Sequence, residues 1–270
     1  MKTAVVTGAS SGIGLACADL LTRRGWRVFA ASRTPPPTSS FTHVTMDVTS
    51  DTSVDTAFTE ILATTDHIDA VVQSAGFGLA GAIEDTSIDE ARAQFETNLF
   101  GALRVARKAL PTLRASRGRL VHVSSIAGHV ALPFQGLYSA SKFALEGLTE
   151  ALHHELHGSG VAVSLVAPGD YRTGFTASRR TVTAAAGSRH ADQLARTMAI
   201  YEADERRAAD PDAVARIVHT ALTTRRPALR YIVGQPLQRW AVVLKQLLPW
   251  PIFSAVMRRI YAIRGEPPRG

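Results

Sequence analysis

Near its start the chain reads Lys2-Thr3-Ala4-Val5-Val6-Thr7-Gly8-Ala9-Ser10-Ser11-Gly12-Ile13-Gly14. A short apolar run from Lys2 to Val6 meets a glycine turn, and a helical pattern then continues through Leu21. Glycines at 8, 12 and 14 let the backbone turn tightly and let a phosphate approach closely. The helix that opens there offers unpaired N–H groups and a positive dipole to a pyrophosphate. The spacing differs from the common G-x-G-x-x-G, so the placement between first strand and first helix carries the reading. Strand, glycine turn and helix together predict an α/β fold built around a nucleotide site.

The bulk properties fit that outline. A chain of 270 residues with 46% apolar content suits one large α/β domain, and no composition shift marks a linker. The first apolar run is too short for a signal peptide, and no run is long enough to span a bilayer. Cys17, alone of its kind, cannot form an internal disulfide, so a reducing, cytoplasmic setting is expected. The net charge of +7 raises nucleic acid as a partner, but the arginines are scattered and no nucleic-acid motif occurs. A basic surface serves a polyanionic cofactor equally well.

Further along, a strand from Trp26 to Ala31 ends at Ser32-Arg33. A carboxylate for ribose hydroxyls would stand here in an NAD enzyme; instead Arg33 presents a fork of donors suited to a 2′-phosphate. NADP(H) is therefore the preferred cofactor, with NAD(H) possible. Three prolines, Pro35 to Pro37, replace the expected crossover helix with a loop. A strand from His43 to Met46 ends at Asp47, placed to cap or to accept from an adenine amino group. The strand from Ile68 to Gln73 opens into Ser74-Ala75-Gly76, and two helices follow with Asn98 at their junction. Later strands end at Ser124-Ser125, at Pro168-Gly169 and, from Tyr231, at Val233. Residues 174–209 have weak periodicity and read as a mobile lid with some helix in it.

Tyr138 and Lys142 are four apart on a predicted helix that continues through Leu145, Leu148, Leu152 and Leu156. They share a face, and an ammonium near a phenol favours the phenolate, which predicts a proton donor and acceptor working near neutrality. A buried aromatic beside a snorkelling lysine is the bland reading of that pair alone.

Together, Thr7-Gly8-x-x-x-Gly12-x-Gly14, Asn98, Ser125, Tyr138-x-x-x-Lys142 and Pro168-Gly169 resemble the short-chain dehydrogenase/reductase family in its single-domain branch. The wording around Tyr138 is similar to that of hydroxysteroid and retinol dehydrogenases. The resemblance covers about residues 2 to 234 and implies a doubly wound, Rossmann-like parallel sheet of about seven strands with helices on both faces. It also implies hydride transfer between a nicotinamide and a carbonyl or alcohol. On that basis Tyr138 would be the general acid or base, and Lys142 would hold the ribose and lower the phenol's pKa. Ser125 would bind the substrate oxygen, and Asn98 would anchor a water behind Lys142. Thr7, Gly8, Ser10, Ser11, Gly12, Ile13 and Gly14 would surround the pyrophosphate. Asp47 and Val48 would meet the adenine, Ala75 and Gly76 the adenosine ribose. Tyr171 and Thr173, after Pro168-Gly169, would meet the carboxamide. Gln73-Ser74 departs from the asparagine usual at that turn, and Tyr171 stands where a small branched residue is common. A homodimer or tetramer is expected from the resemblance.

Two other readings compete. A nucleotide-sensing relative without turnover would usually lack the tyrosine, the lysine or the serine. A metal site at His153 and His157 fails, because Gly158 breaks H-E-x-x-H and no third ligand is placed. Phe77, Leu79, Leu132, Phe134 and Phe175 are candidates for an apolar pocket. Residues 235–270 form an apolar, basic extension in which Pro249 and Pro251 divide two helices. It is expected to close over a lipophilic substrate together with the lid, with peripheral membrane contact as the alternative. Its removal is expected to raise KM for bulky substrates.

Overall fold

A computed structural model describes residues 1–37 and 40–263, with 176 and 177 described for their backbone alone. Seven strands form one parallel sheet: β1 (Thr3–Thr7), β2 (Arg27–Ser32), β3 (Thr42–Thr45), β4 (Ala70–Gln73), β6 (Arg119–Val123), β7 (Ala162–Pro168) and β9 (Arg230–Val233). Two short strands, β5 (Leu79–Ala80) and β8 (Arg180–Thr181), pair separately. The order in the large sheet is β3-β2-β1-β4-β6-β7-β9. The chain winds outward from β1 to β3, then returns to β4 on the other side of β1. Ligands collect at the carboxyl ends of strands beside such a reversal.

The strands are uninterrupted apolar runs because both faces of the sheet are covered. Ala4 and Val6 pack on one face with α1 (Gly12–Arg23) and α8 (Asp212–Thr223), while Val5 packs on the other. That second face is covered by α2 (Asp51–Leu62), α4 (Gly101–Ser116) and α5 (Gly136–Glu155). Cys17 is buried in the first layer, where burial pushes its thiol up to about 12.

Helix α3 (Ile88–Phe95) begins with a reciprocal Ser87–Glu90 capping box. It runs through a π-helical turn, Glu96–Phe100, straight into α4. The expected junction at Asn98 is therefore this wide turn, which points the amide inward; Asn98 is buried.

Residues 174–209 are more ordered than their pattern predicts. They contain α6 (Phe175–Ser178), β8, a 3₁₀ turn over Thr183–Gly187 and a long helix, α7 (Ala191–Arg207). Leu194 and Val182 bury against Leu79, and β8 hydrogen-bonds to β5, contacts remote in sequence that hold the segment down. The triple-proline loop carries no helix among its described residues; Thr38 and Ser39 lie outside them. The extension forms α9 (Pro236–Leu247) and α10 (Trp250–Ile260), with 264–270 outside the described residues. Among the described residues no helix is long and apolar enough to cross a membrane.

Candidate active site

The carboxyl ends of the large sheet open into one cavity of about 520 Å³. Its walls run from Gly8, Ser10, Ser11, Gly12 and Ile13 past Arg33, Asp47 and Val48 to Ala75 and Gly76. They continue through Ser125, Tyr138, Lys142, Pro168, Gly169, Tyr171 and Thr173. Most of the residues singled out from the sequence thus meet in one cleft, because each stands just after a parallel strand or at the start of α5.

Thr7, Gly14 and Asn98 stand behind the wall, not in it. Thr7 Oγ1 accepts from the N–H groups of Ser74 and Ala75 at 3.2 and 3.3 Å, tying the turn after β4 to β1. A Cβ on Gly14 would lie 2.2 Å from the Gly8 carbonyl oxygen, so Gly14 permits the close packing of α1 on the loop. Asn98 Oδ1 accepts from Phe77 N at 3.1 Å, and its Nδ2 donates to Phe77 O and Ser141 Oγ at the same distance. The asparagine clips the β4 turn to the helix that carries Tyr138. It shares a second, small cavity of about 10 Å³ with Thr7, Gln73 and Lys142. The departure at Gln73 is visible there, since neither amide atom of this buried side chain finds a partner in the protein.

Tyr138 lies in the first turn of α5 with its ring against Phe175, centroids 5.5 Å apart. The Ser125 hydroxyl lies beside the phenol and donates to the Pro168 carbonyl at 3.4 Å. Its own backbone is extended, and Ser125 Oγ accepts from Ala127 N at 3.1 Å. Lys142 Nζ donates to the Val123 carbonyl at 2.9 Å and stands 5.9 Å from the centre of the Tyr138 ring.

These positions correct one expectation. Burial, partly offset by Ser125, pushes the Tyr138 phenol up to about 12. Burial also brings Lys142 down to about 8, with Glu146 one turn further on opposing the change. Desolvation is the largest cause, and the Lys142 ammonium is tied to the Val123 carbonyl. At neutral pH the phenol is a held proton, suited to donation.

A dinucleotide fits the other half of the cleft. Ser11 starts α1 without capping it through its side chain, so no hydroxyl occupies the helix's first N–H groups. Gly8 and Gly12 have φ of +67° and +55°, and a Cβ on Gly8 would meet the Ala75 backbone at 2.7 Å. The Asp47 carboxylate accepts from Thr49 N and Oγ1 at 2.9 and 2.8 Å; these bonds and nearby Arg33 hold it below the usual carboxylate range. Tyr171 turns its ring into the core beside α8, leaving its backbone for the cleft.

Sequence reasoning missed the far wall. Gln135, Arg179, Tyr201, Gln238 and Tyr261 all line the cavity. The Arg179 guanidinium lies over the rings of Phe175 and Tyr201, at 5.8 and 5.7 Å, and Tyr201 stacks on Tyr261 at 4.8 Å. Burial, with Asp204 and Glu205 nearby, pushes the Asp170 carboxyl up to about 6. Gln238 Nε2 donates to Asp170 Oδ2 at 2.5 Å, pinning α9 to the loop after β7. Asp170 follows Pro168-Gly169 and was within reach of sequence reading; its partner 68 positions later was not. Of the five apolar candidates, Phe77, Leu132 and Phe175 line the cavity. Leu79 and Phe134 pack instead with Val182 and Leu194. The rings of His153 and His154 meet in a T-shaped contact on α5, His157 lies beyond its end, and no metal-binding group of three is found among the described residues.

The chain is similar to known proteins in sequence and fold. A family model described as short chain dehydrogenase matches residues 2–184. The chain is 36% identical over 264 residues to a 3-ketodihydrosphingosine reductase of Bacteroides thetaiotaomicron, covering 96% of this chain and 98% of that protein. It is 37% identical over 265 residues to an oxidoreductase of Escherichia coli, YbbO, covering 95% and 94%. The solved structure of a short-chain dehydrogenase from Streptomyces avermitilis superposes with a TM-score of 0.79 at 28% identity, covering 94% of this chain and 97% of that one. The chain belongs to the short-chain dehydrogenase family and is an NAD(P)-dependent oxidoreductase.

Proposed function

We propose that this protein reduces lipophilic, long-chain ketones with NADPH, and oxidises the matching alcohols in reverse, with Tyr138 as general acid or base. The observation that carries the reading is a single cavity joining the glycine loop and Arg33 to Tyr138, Ser125 and a far wall to which the extension adds apolar side chains. The wall includes Leu237, Ala241, Met257 and Ile260 from the extension. Similarity to a protein named 3-ketodihydrosphingosine reductase supports a long-chain ketone.

When bound, the reduced nicotinamide supplies a hydride to the carbonyl carbon. Ser125 donates a hydrogen bond to the carbonyl oxygen and orients it. Tyr138 gives that oxygen its proton; the high phenol pKa keeps the donor loaded at neutral pH. Lys142 would hold the ribose, and its positive charge would favour the phenolate left behind. Residues 1–234 act as the catalytic unit, 174–209 as its lid and 235–270 as a second cover. Assembly is as a homodimer or tetramer.

Preference for NADP(H) rests on Arg33, exposed at the end of β2 where no carboxylate follows. A charge-assisted contact of about 1.5–3 kcal/mol gives roughly ten- to hundredfold selectivity. Binding titrations should show NADPH held that much more tightly than NADH, and Arg33→Ala should erase the difference. Equal affinities in the unaltered protein would refute the preference.

A further inference from the structure

We propose that α9 and α10 dock this protein on an anionic lipid surface, with the mouth of the catalytic cavity facing that surface. Among the described residues fourteen large apolar side chains are exposed, and eight of them lie on these two helices. On α9 they are Leu237, Trp240, Val243 and Leu247, spaced as one helical stripe. On α10 they are Trp250, Ile252, Val256 and Ile260. Leu247 and Trp250 are 73% and 67% exposed, far from the usual state of such residues.

The opposite faces are firmly anchored. Val242 and Phe253 are buried against Val130, and Lys245 Nζ donates to the His129 carbonyl at 2.6 Å. Gln238 holds Asp170. The bare stripe therefore belongs to two fixed helices, not to a loosely attached tail.

Charge chooses the occupant. From Gln235 to Gly265 the sequence contains no Asp or Glu, while Arg239, Arg258 and Arg259 are exposed beside the apolar residues. A second copy meeting this face by two-fold symmetry would bring arginines to arginines with no carboxylate between them. A bilayer of acidic lipids brings phosphates to the arginines, its boundary to the tryptophans and its acyl region to the stripe. The face also runs into the site: Leu237 and Ile260 are exposed and line the cavity as well. That continuity gives a long-chain substrate a path from the bilayer to Tyr138; this part rests on the function proposed above.

The test is flotation of the full chain with vesicles of phosphatidylcholine, with and without about one third phosphatidylglycerol. The unaltered protein should float with the anionic vesicles at least about tenfold more than with the neutral ones, and about 0.5 M salt should weaken the binding. Fluorescence of Trp240 and Trp250 should shift to the blue on binding. The double variant Leu247→Glu/Trp250→Glu, which touches neither cofactor nor cavity, should stay unbound while turning over a short, water-soluble ketone normally. Failure of the unaltered protein to float with either vesicle overturns the proposal. So does a dimer, with no vesicle binding, that the double variant dissociates. Vesicle binding without turnover of any ketone upholds the docking and refutes the proposed reaction, so the two are told apart.

Discussion

Tyr138 and Lys142 stand one turn apart on α5, and burial drives their pKa values apart, from 10.0 and 10.5 to about 12 and about 8. Desolvation disfavours phenolate and ammonium alike; the phenol avoids the cost by staying neutral at pH 7, whereas the Lys142 ammonium costs stability in order to serve the site. For Lys142 the sign is definite. Its folded pKa lies below its ordinary 10.5, so the unfolded chain binds the extra proton between about pH 8 and 10.5 and stability rises across that window. Lys142→Met should raise the melting temperature of the ligand-free protein at pH 7, by about 2–4 °C for each kcal/mol recovered. The gain should shrink above pH 8, and activity should be lost. Calorimetry across pH checks this. Asp170 behaves in the opposite sense. Its folded pKa of about 6 exceeds its ordinary 3.8, so its contribution is full below pH 3.8 and is lost as pH rises through 6. Asp170→Asn should therefore be more stable than the unaltered protein at pH 8, by up to about 3 kcal/mol, and no more stable near pH 3.5. Denaturant titrations at the two pH values decide it.

At the scale of elements, the loops after β1, β2, β4, β6 and β7 bring the cleft together, and α9 with α10 closes its far end. Ala241 lies on the cavity side of α9 and is small enough to leave room there. Ala241→Phe should raise KM for long-chain ketones about tenfold or more while sparing short ones, since only the far end is filled. Steady-state kinetics over a range of chain lengths reads this directly. The parallel strands were legible in the sequence because burial on both faces writes them as apolar runs ended by turn residues. Most of the cleft residues named from the sequence were legible for the same reason, standing at a strand's end, and Tyr138 and Lys142 by their spacing on α5. α7 and the β5–β8 pair were not, because their stability comes from remote partners such as Leu79 with Val182 and Leu194. The clip of Asn98 to Ser141 and that of Gln238 to Asp170 are likewise invisible until the fold places the partners together. The height of the Tyr138 pKa was misjudged because spacing gives proximity to Lys142 but says nothing of desolvation.

At the scale of the molecule, one cavity receives the glycine loop at one end and side chains of α9 and α10 at the other, with the buried Tyr138 between them. The distribution of charge agrees with this division: a net +7 overall, and an extension whose exposed arginines surround bare apolar side chains. A polyanionic cofactor and, on the function proposed above, a lipophilic ketone would satisfy both ends at once. In the proposed reaction Tyr138 supplies the proton for reduction of such ketones. The most direct test follows NADPH oxidation with ketones of increasing chain length, for the unaltered protein and for Tyr138→Phe. The unaltered protein should show kcat/KM rising with chain length. The variant should bind NADPH normally and lose at least about a hundredfold in kcat with every ketone. A variant that kept more than about a tenth of the activity would contradict the assignment of Tyr138.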